Sequence, residues 1–239
     1  MVPAESWAAG TLLAELDLLE PNAPGAARSS LERIGTPRVY ARGETMLMAG
    51  ARDTFVLLLL DGHAKVTTVD GSGTDVLVDI RAAGDVVGEI AAFDDRPRSA
   101  TVVAAQQMYA RRISQDQWLR WVTGSRVAEL AVSRSLAHRS RVAVRRRTEF
   151  VRGPVIARLA RAVLDLTEQY GLPLPEGLLV RPGLTQAEWG GLIGARERRV
   201  HQALHELARA EALAFGRCRI VVRSVPALRR FAALAAEEW

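Results

Sequence analysis

Cysteine is almost absent from this 239-residue chain. Cys218 stands alone, which excludes a disulfide within the chain and any four-cysteine cluster for iron-sulfur or structural zinc. Lysine is as scarce: Lys65 is the only one among 32 basic residues, so the arginine content reflects coding bias as much as function and is weak evidence for nucleic acid by itself. No run of about 18 uncharged apolar residues occurs, and no membrane partner is expected. The opening residues, MVPAESWAAGTLLAELDLLE, carry acids where a signal or transit peptide needs positive charge, so a cytoplasmic location is expected. No nucleophile with a partner, no metal-ligand set and no paired catalytic carboxylates stand out, and an enzyme is not expected. His63 and His138 read as isolated surface or packing residues rather than haem ligands. His201 and His205 share a helical face at a spacing metals use, but no third ligand accompanies them. No metal, haem or iron-sulfur cluster is therefore expected.

The charge that is present is unevenly placed. Residues 1–125 carry 12 basic and 16 acidic side chains, residues 126–150 carry 7 and 2, and residues 151–239 carry 13 and 9. Concentrated positive charge in the later half suits a polyanion partner for that half. The length favours two domains with a real core.

From Val39 to Ala110 the chain reads as short β-branched runs separated by Gly and Asp turns. DGSG at 70–73 between AKVTTV and TDVLVDI is a hairpin signal, and Gly43, Gly50, Gly62 and Gly84 stand where positive φ is useful. Many short strands with regular turns predict a small antiparallel barrel or jelly roll, preceded by a helix over 11–19. From Ser114 to about Phe150 there is no proline and no glycine after Gly124, which predicts one long helix over that stretch. Its face at Val127, Leu130, Ala137 and Val144, with Ser133 and Ser140 between, approximates a heptad seam and favours a symmetric dimer. Gly153-Pro154 must interrupt that helix. The expected parts are a β-barrel domain (1–113), a long dimerisation helix and hinge (114–153) and a basic C-terminal domain (154–239). Within the last, YGLPLPEGLLVRPG reads as a loop, followed by two short helices from Thr185.

LTQAEWGGLIGARERRVHQALHELARAEALAFGRCRIVV, residues 184–222, has the pattern of a winged helix-turn-helix. Thr185 is placed to cap a helix with Glu188 completing a capping box; Trp189, Leu192 and Ile193 form its apolar face, and Gly194 supplies the turn. Val200, Ala203, Leu204 and Leu207 give the next helix a buried stripe. Its other face carries Arg196, Glu197, Arg198, Arg199, His201 and Gln202, residue types that address guanine, cytosine and adenine edges in the major groove. Thr185 and Gln186 complete the expected DNA-facing set. The hairpin 213–222, turning at Gly216, is the expected wing, with Arg217 and Arg219 placed for phosphate.

Over roughly Leu12 to Val222 the chain resembles the cyclic-AMP receptor protein and fumarate-nitrate regulator (CRP/FNR) superfamily of bacterial transcription factors. The order of parts matches, and the resemblance identifies GEIAAFDDRPRSATV as the phosphate-binding cassette. The chemistry of that stretch agrees. Gly88 allows close backbone approach, Glu89, Ile90 and Ala91 begin a helical step with amides aimed at a phosphate, and Arg98 offers a charged fork. Glu89 can accept from a ribose hydroxyl, and Ser99 adds a donor. In the family a polar Thr-Ser pair on the long helix meets the base; here Ala143 and Val144 align there, and neither hydrogen-bonds a base through its side chain. The family's recognition helix begins Ser-Arg-Glu-Thr, against Arg196, Glu197, Arg198 and Arg199 here, with Gln202 in place of a later arginine. The operator is expected to differ accordingly.

The fold class expected is α+β: an N-terminal antiparallel jelly roll, a long dimerisation helix and a C-terminal winged helix-turn-helix. The function expected is a homodimeric regulator of a pseudo-palindromic DNA operator, modulated by cyclic AMP or cyclic GMP in the barrel, with RNA polymerase as a further partner implied by the resemblance. Two alternatives stay open. One is a ligand-independent regulator whose barrel is a scaffold, with Glu89 and Arg98 paired to each other. The other is a nucleotide-binding regulatory subunit acting on a protein.

Overall fold

The computed structural model describes residues 7–21, 25–69, 71, 73, 75–149, 153–216 and 218–234. The chain divides into two compact units, Met1–Thr68 with Asp79–Arg141, and Val69–Val78 with Val142–Trp239.

In the first unit, Thr11 caps α1 (Leu12–Leu19) by accepting from the Ala14 amide at 3.4 Å, and α2 (Ala26–Leu31) follows. The strands come next: β1 (Thr36–Tyr40), β2 (Thr45–Leu47), β3 (Val56–Asp61), β4 (His63–Val69), β5 (Asp75–Ala82) and β6 (Val86–Val87). The short helix α3 (Glu89–Asp94) separates them from β7 (Thr101–Ala104) and β8 (Met108–Ile113). They form two four-stranded sheets, β1-β8-β3-β6 and β2-β7-β4-β5, the jelly roll that the strand pattern predicts. Gly43, Gly50, Gly62 and Gly84 have φ of 84°, 79°, 84° and 89°.

The strand β3 explains the roll's stability. Its run Val56-Leu57-Leu58-Leu59 is wholly buried, because Leu57 and Leu59 face the roll interior with Met46, Val87, Val102 and Met108. Val56 and Leu58 belong to a separate cluster with Leu12, Leu16, Leu31, Ile113, Trp118 and Trp121. A strand buried on both faces needs a continuous apolar run rather than alternation. Truncating either kind of leucine here costs about 2–5 kcal/mol.

One long helix from Ser114 does not form. The structure has α4 (Gln115–Thr123) and then α5 (Arg126–Glu149). Ser114 and Gln117 make a capping box that starts α4, and Gly124 is its C-cap. Ala128, Ala131 and Val132 of α5 are buried in the helical cluster, while Leu130, Ser133, Ala137, Ser140 and Val144 are exposed.

In the second unit α6 (Val155–Tyr170) begins directly after Pro154 and buries Ile156, Leu159, Val163 and Leu166. Its Asp165 accepts from Arg145 and from Arg146 (3.0 and 2.8 Å), fastening the last turns of α5 to α6. The expected loop after Tyr170 is instead a hairpin of β9 (Leu172–Leu174) and β10 (Gly177–Val180). Pro173 is tolerated there because β9 is the edge of the sheet β11-β12-β10-β9, where no partner needs its missing N–H. Then come α7 (Gln186–Ile193), α8 (Glu197–Arg209), β11 (Leu213–Gly216), β12 (Arg219–Val222) and α9 (Val225–Ala233). The last, capped by Ser224 and packed on α6, was not read from the sequence.

Candidate ligand cavity and nucleic-acid interface

Gly88 ends β6 with φ +89° and starts α3. A Cβ there would lie 2.6 Å from Arg98 Nη1 and 2.9 Å from the Phe55 carbonyl oxygen, so only glycine fits. The turn brings Gly88, Glu89, Ile90, Ala91, Arg98 and Ser99 to one cavity, together with Arg81, Arg139 and the apolar Leu47, Val66, Val87 and Val102.

The charges in this cavity already have protein partners. Arg98, with a side chain 2% exposed, donates from Nε and Nη2 to Asp53 Oδ1 (2.9 and 2.5 Å), from Nη2 to the Phe55 carbonyl (2.6 Å) and from Nη1 to the Gly88 carbonyl (2.7 Å). Four of its five N–H groups are engaged and one on Nη1 remains. Asp53 is 41% exposed, so its carboxylate can exchange Arg98 for water far more cheaply than the buried arginine can. Glu89 accepts from Arg139 Nη2 at 2.6 Å, and Arg139 also donates to the Val86 carbonyl at 3.2 Å and approaches Asp85 to 3.9 Å. Arg81 closes the chain of alternating charge, 2.7 Å from Asp79 and 3.3 Å from Asp85. Glu89 and Arg98 are therefore not partners of each other.

Asp53 and Arg139 were not anticipated from the sequence. Nothing local ties Asp53 to an arginine 45 positions later, whereas Arg139 was recoverable: it lies one helical turn before Ala143. Ala143 and Val144 are exposed on α5.

In the second unit Thr185 and Glu188 form the expected capping box, with Glu188 N to Thr185 Oγ1 at 3.2 Å and Thr185 N to Glu188 Oε2 at 2.7 Å. Gly194 takes φ +63° and ends α7. A second glycine, missed in the sequence, is as necessary: a Cβ on Gly190 would lie 2.3 Å from the Ala195 carbonyl oxygen. Arg158 of α6 donates to the Ile193 and Gly194 carbonyls at 2.8 and 3.1 Å, satisfying the end of α7. On α8, Val200, Ala203, Leu204 and Leu207 are buried. Arg196, Glu197, Arg198, Arg199, His201 and Gln202 are all exposed. Gln186 Oε1 lies 3.2 Å from His201 Nδ1, and the His201 ring packs edge-on against His205 at 4.4 Å. In the wing Gly216, at the end of β11, pairs with Arg219 of β12, and Cys218 has φ +58°. Arg217 lies outside the described residues. Among the described residues no group of three His, Cys, Asp or Glu is placed to hold a metal, and no helix is long and apolar enough to cross a membrane.

Residues 37–124 match the family model of the cyclic nucleotide-binding domain, and residues 157–231 match that of the Crp-like helix-turn-helix domain. The chain belongs to the CRP/FNR superfamily. It is similar to the CRP-like cAMP-activated global transcriptional regulator of Mycobacterium tuberculosis, 26% identical over 190 residues, 80% of this chain and 83% of that one. It is similar also to the cAMP-activated global transcriptional regulator Vfr of Pseudomonas aeruginosa, 25% identical over 184 residues, 71% of this chain and 81% of that one. Among solved structures, a CRP-family transcriptional regulator from Thermus thermophilus shares the fold, with TM-score 0.70 and 22% identity over 84% of this chain and 100% of that one. As a CRP-like protein this is a transcription regulator with a helix-turn-helix DNA-binding domain, not an enzyme.

Proposed function

We propose that this CRP-like regulator acts in the cytoplasm as a homodimer paired along α5, and that cyclic AMP or cyclic GMP bound in the roll cavity modulates its hold on a pseudo-palindromic operator, where it meets RNA polymerase. The observation that carries this is the convergence of Gly88, Glu89, Ile90, Ala91, Arg98 and Ser99 on one cavity. The residues suit the ligand: a phosphate takes the remaining N–H of Arg98 and competes with Asp53 for the rest, and a ribose hydroxyl competes with Arg139 for Glu89. Because Arg139 stands on α5, that competition reaches the helix whose seam, Leu130, Ala137 and Val144, is exposed for a second copy. Ligand and DNA then bias one equilibrium between two dimer arrangements, and two recognition helices engage the operator together only when spaced one DNA turn apart. On this reading Arg198, Arg199 and Gln202 meet bases, and Thr185, Gln186, Arg217 and Arg219 meet phosphates.

A second reading draws support from the same ion pairs. With Arg98 neutralised by Asp53 and Glu89 by Arg139, the roll is complete without a ligand and serves as a scaffold for a constitutive DNA-binding dimer. Calorimetric titration of the full-length protein with cyclic AMP and cyclic GMP, with Arg98→Ala as control, separates the two. Saturable binding that the substitution weakens at least about thirtyfold, the value of a charged hydrogen bond of about 2 kcal/mol, is expected. Absence of heat with both nucleotides, together with full operator binding by the ligand-free protein, establishes the scaffold instead.

A further inference from the structure

The histidines of α8 have no part in the proposed function. His201 and His205 stand one turn apart, both exposed, and their rings meet edge-on with centroids 4.4 Å apart. The His205 ring in turn meets Phe215 of β11 at 5.0 Å. His201 thus ends a stack of rings that joins the recognition helix to the wing. Its other side is held by α7, where Gln186 Oε1 lies 3.2 Å from Nδ1. A carbonyl oxygen only accepts, so Nδ1 is the donor in that bond and Nε2 is the nitrogen whose state varies: an acceptor in the neutral ring, a donor in the cation. Protonation therefore adds a charge and a donor to this face without breaking the bond that orients the ring.

The charges around the pair are of both signs. On α8, Glu197 lies one turn before His201 and favours a cation there, whereas Arg198 and His205 oppose it. Arg209, one turn beyond His205, donates to the His205 carbonyl at 3.4 Å. From α7 come the neutral Gln186 and Glu188, which is bonded to Thr185; from the wing come the neutral Phe215 and, on the next strand, Arg219. Among the described residues neither histidine forms an ion pair. Positive neighbours outnumber Glu197, and a row of phosphates brought against this face reverses that balance.

We propose that His201 is a DNA contact that takes up a proton when duplex DNA binds, so that the hold on DNA tightens as pH falls. The assignment rests on α8 being the DNA-reading helix. The bound state carries one proton more than the free state, so affinity falls as pH rises through the range in which imidazole titrates, and the gain is complete only below that range. One proton is taken up rather than two, because a second charge on His205 lies against the first.

The test uses DNA duplexes that the full-length protein selects from a random-sequence pool at neutral pH, with and without cyclic AMP. Their affinity is measured by fluorescence anisotropy at about pH 6 and about pH 8 over a range of salt. Binding at least about fivefold tighter at the lower pH is expected, one proton setting a ceiling of about tenfold per pH unit. The slope of log affinity against log salt should be steeper there by about one unit, because one more cation meets phosphate. His201→Gln is expected to bring both differences close to zero, and His205→Gln to keep them. His201→Arg, charged at either pH, should show the steeper slope at both. No pH dependence in the unaltered protein, an undiminished one in His201→Gln, or its loss in His205→Gln overturns the assignment. Should His201→Gln fail to fold, His201→Arg and the two slopes of the unaltered protein decide. Selection of no duplex at all overturns α8 as the DNA-reading helix and this assignment with it, whereas duplexes bound equally at both pH values overturn this assignment alone.

Discussion

In the roll cavity Arg98 and Glu89 are buried and each is already held by a protein partner, whereas on α8 Arg196, Glu197, Arg198 and Arg199 are exposed and form no ion pair among the described residues. On the proposed function the same residue types serve two kinds of recognition. On the proposed reading a ligand's phosphate and ribose compete with Asp53 for Arg98 and with Arg139 for Glu89, so binding there is in part an exchange of partners and can be coupled to a change in the protein. A polyanion at α8 displaces only water and counterions, so affinity there is available at once and falls steeply with salt. On the proposed function the buried pairs tune a switch, and the exposed charges supply the grip.

The sharpest test of this contrast uses two glycines. Gly88→Ala places a methyl 2.6 Å from Arg98 Nη1 at a positive φ, and Gly190→Ala places one 2.3 Å from the Ala195 carbonyl. The first is expected to abolish nucleotide binding and leave operator affinity in the ligand-free state, the second to abolish operator binding and leave the nucleotide titration intact. Loss of both activities in either protein, measured by calorimetry and gel shift, breaks the separation of the two sites.

A smaller effect is expected at the buried pair. Arg139→Met leaves Glu89 without its cation and should lower unfolding free energy by about 3 kcal/mol in urea, with Glu89→Gln in the same chain recovering most of it. If the double substitution recovers nothing, Arg139 contributes by packing rather than by charge.

The smallest effects belong to the exposed surface. Arg198→Ala should relax preference at particular base pairs by about 1–3 kcal/mol, while Arg219→Ala should weaken all sequences alike and lower the salt slope by about one unit. Uniform weakening in Arg198→Ala assigns that residue to phosphate.

What was legible in the sequence follows the range of each signal. The Thr185–Glu188 capping box and the Gly194 turn are complete within a few residues, and both form as expected. The Ser114–Gln117 box obeys the same rule, yet it sits in a run nearly free of Gly and Pro, and the helix-forming pattern on both sides concealed the break at Gly124. Pro173 reads as a breaker because edge position is a property of the sheet, not of the segment. Ser224 with Pro226 marks the start of α9 by ordinary capping rules, a local signal that was legible and missed. Asp53, in the segment before β3, and Arg98, after α3, meet only in the folded roll, 45 positions apart, and no local pattern encodes that meeting.

The strand β3 also bears on how the first unit moves. Its alternate residues anchor the interior of the roll and the helical layer, so neither layer can open without stripping one face of the same strand. Amide exchange should find the β3 backbone opening only with the whole unit, at a free energy near the global value, and the same for its neighbour β8. Any motion that a ligand sets off must then pass around this strand, through the segments that flank it, and leave it closed.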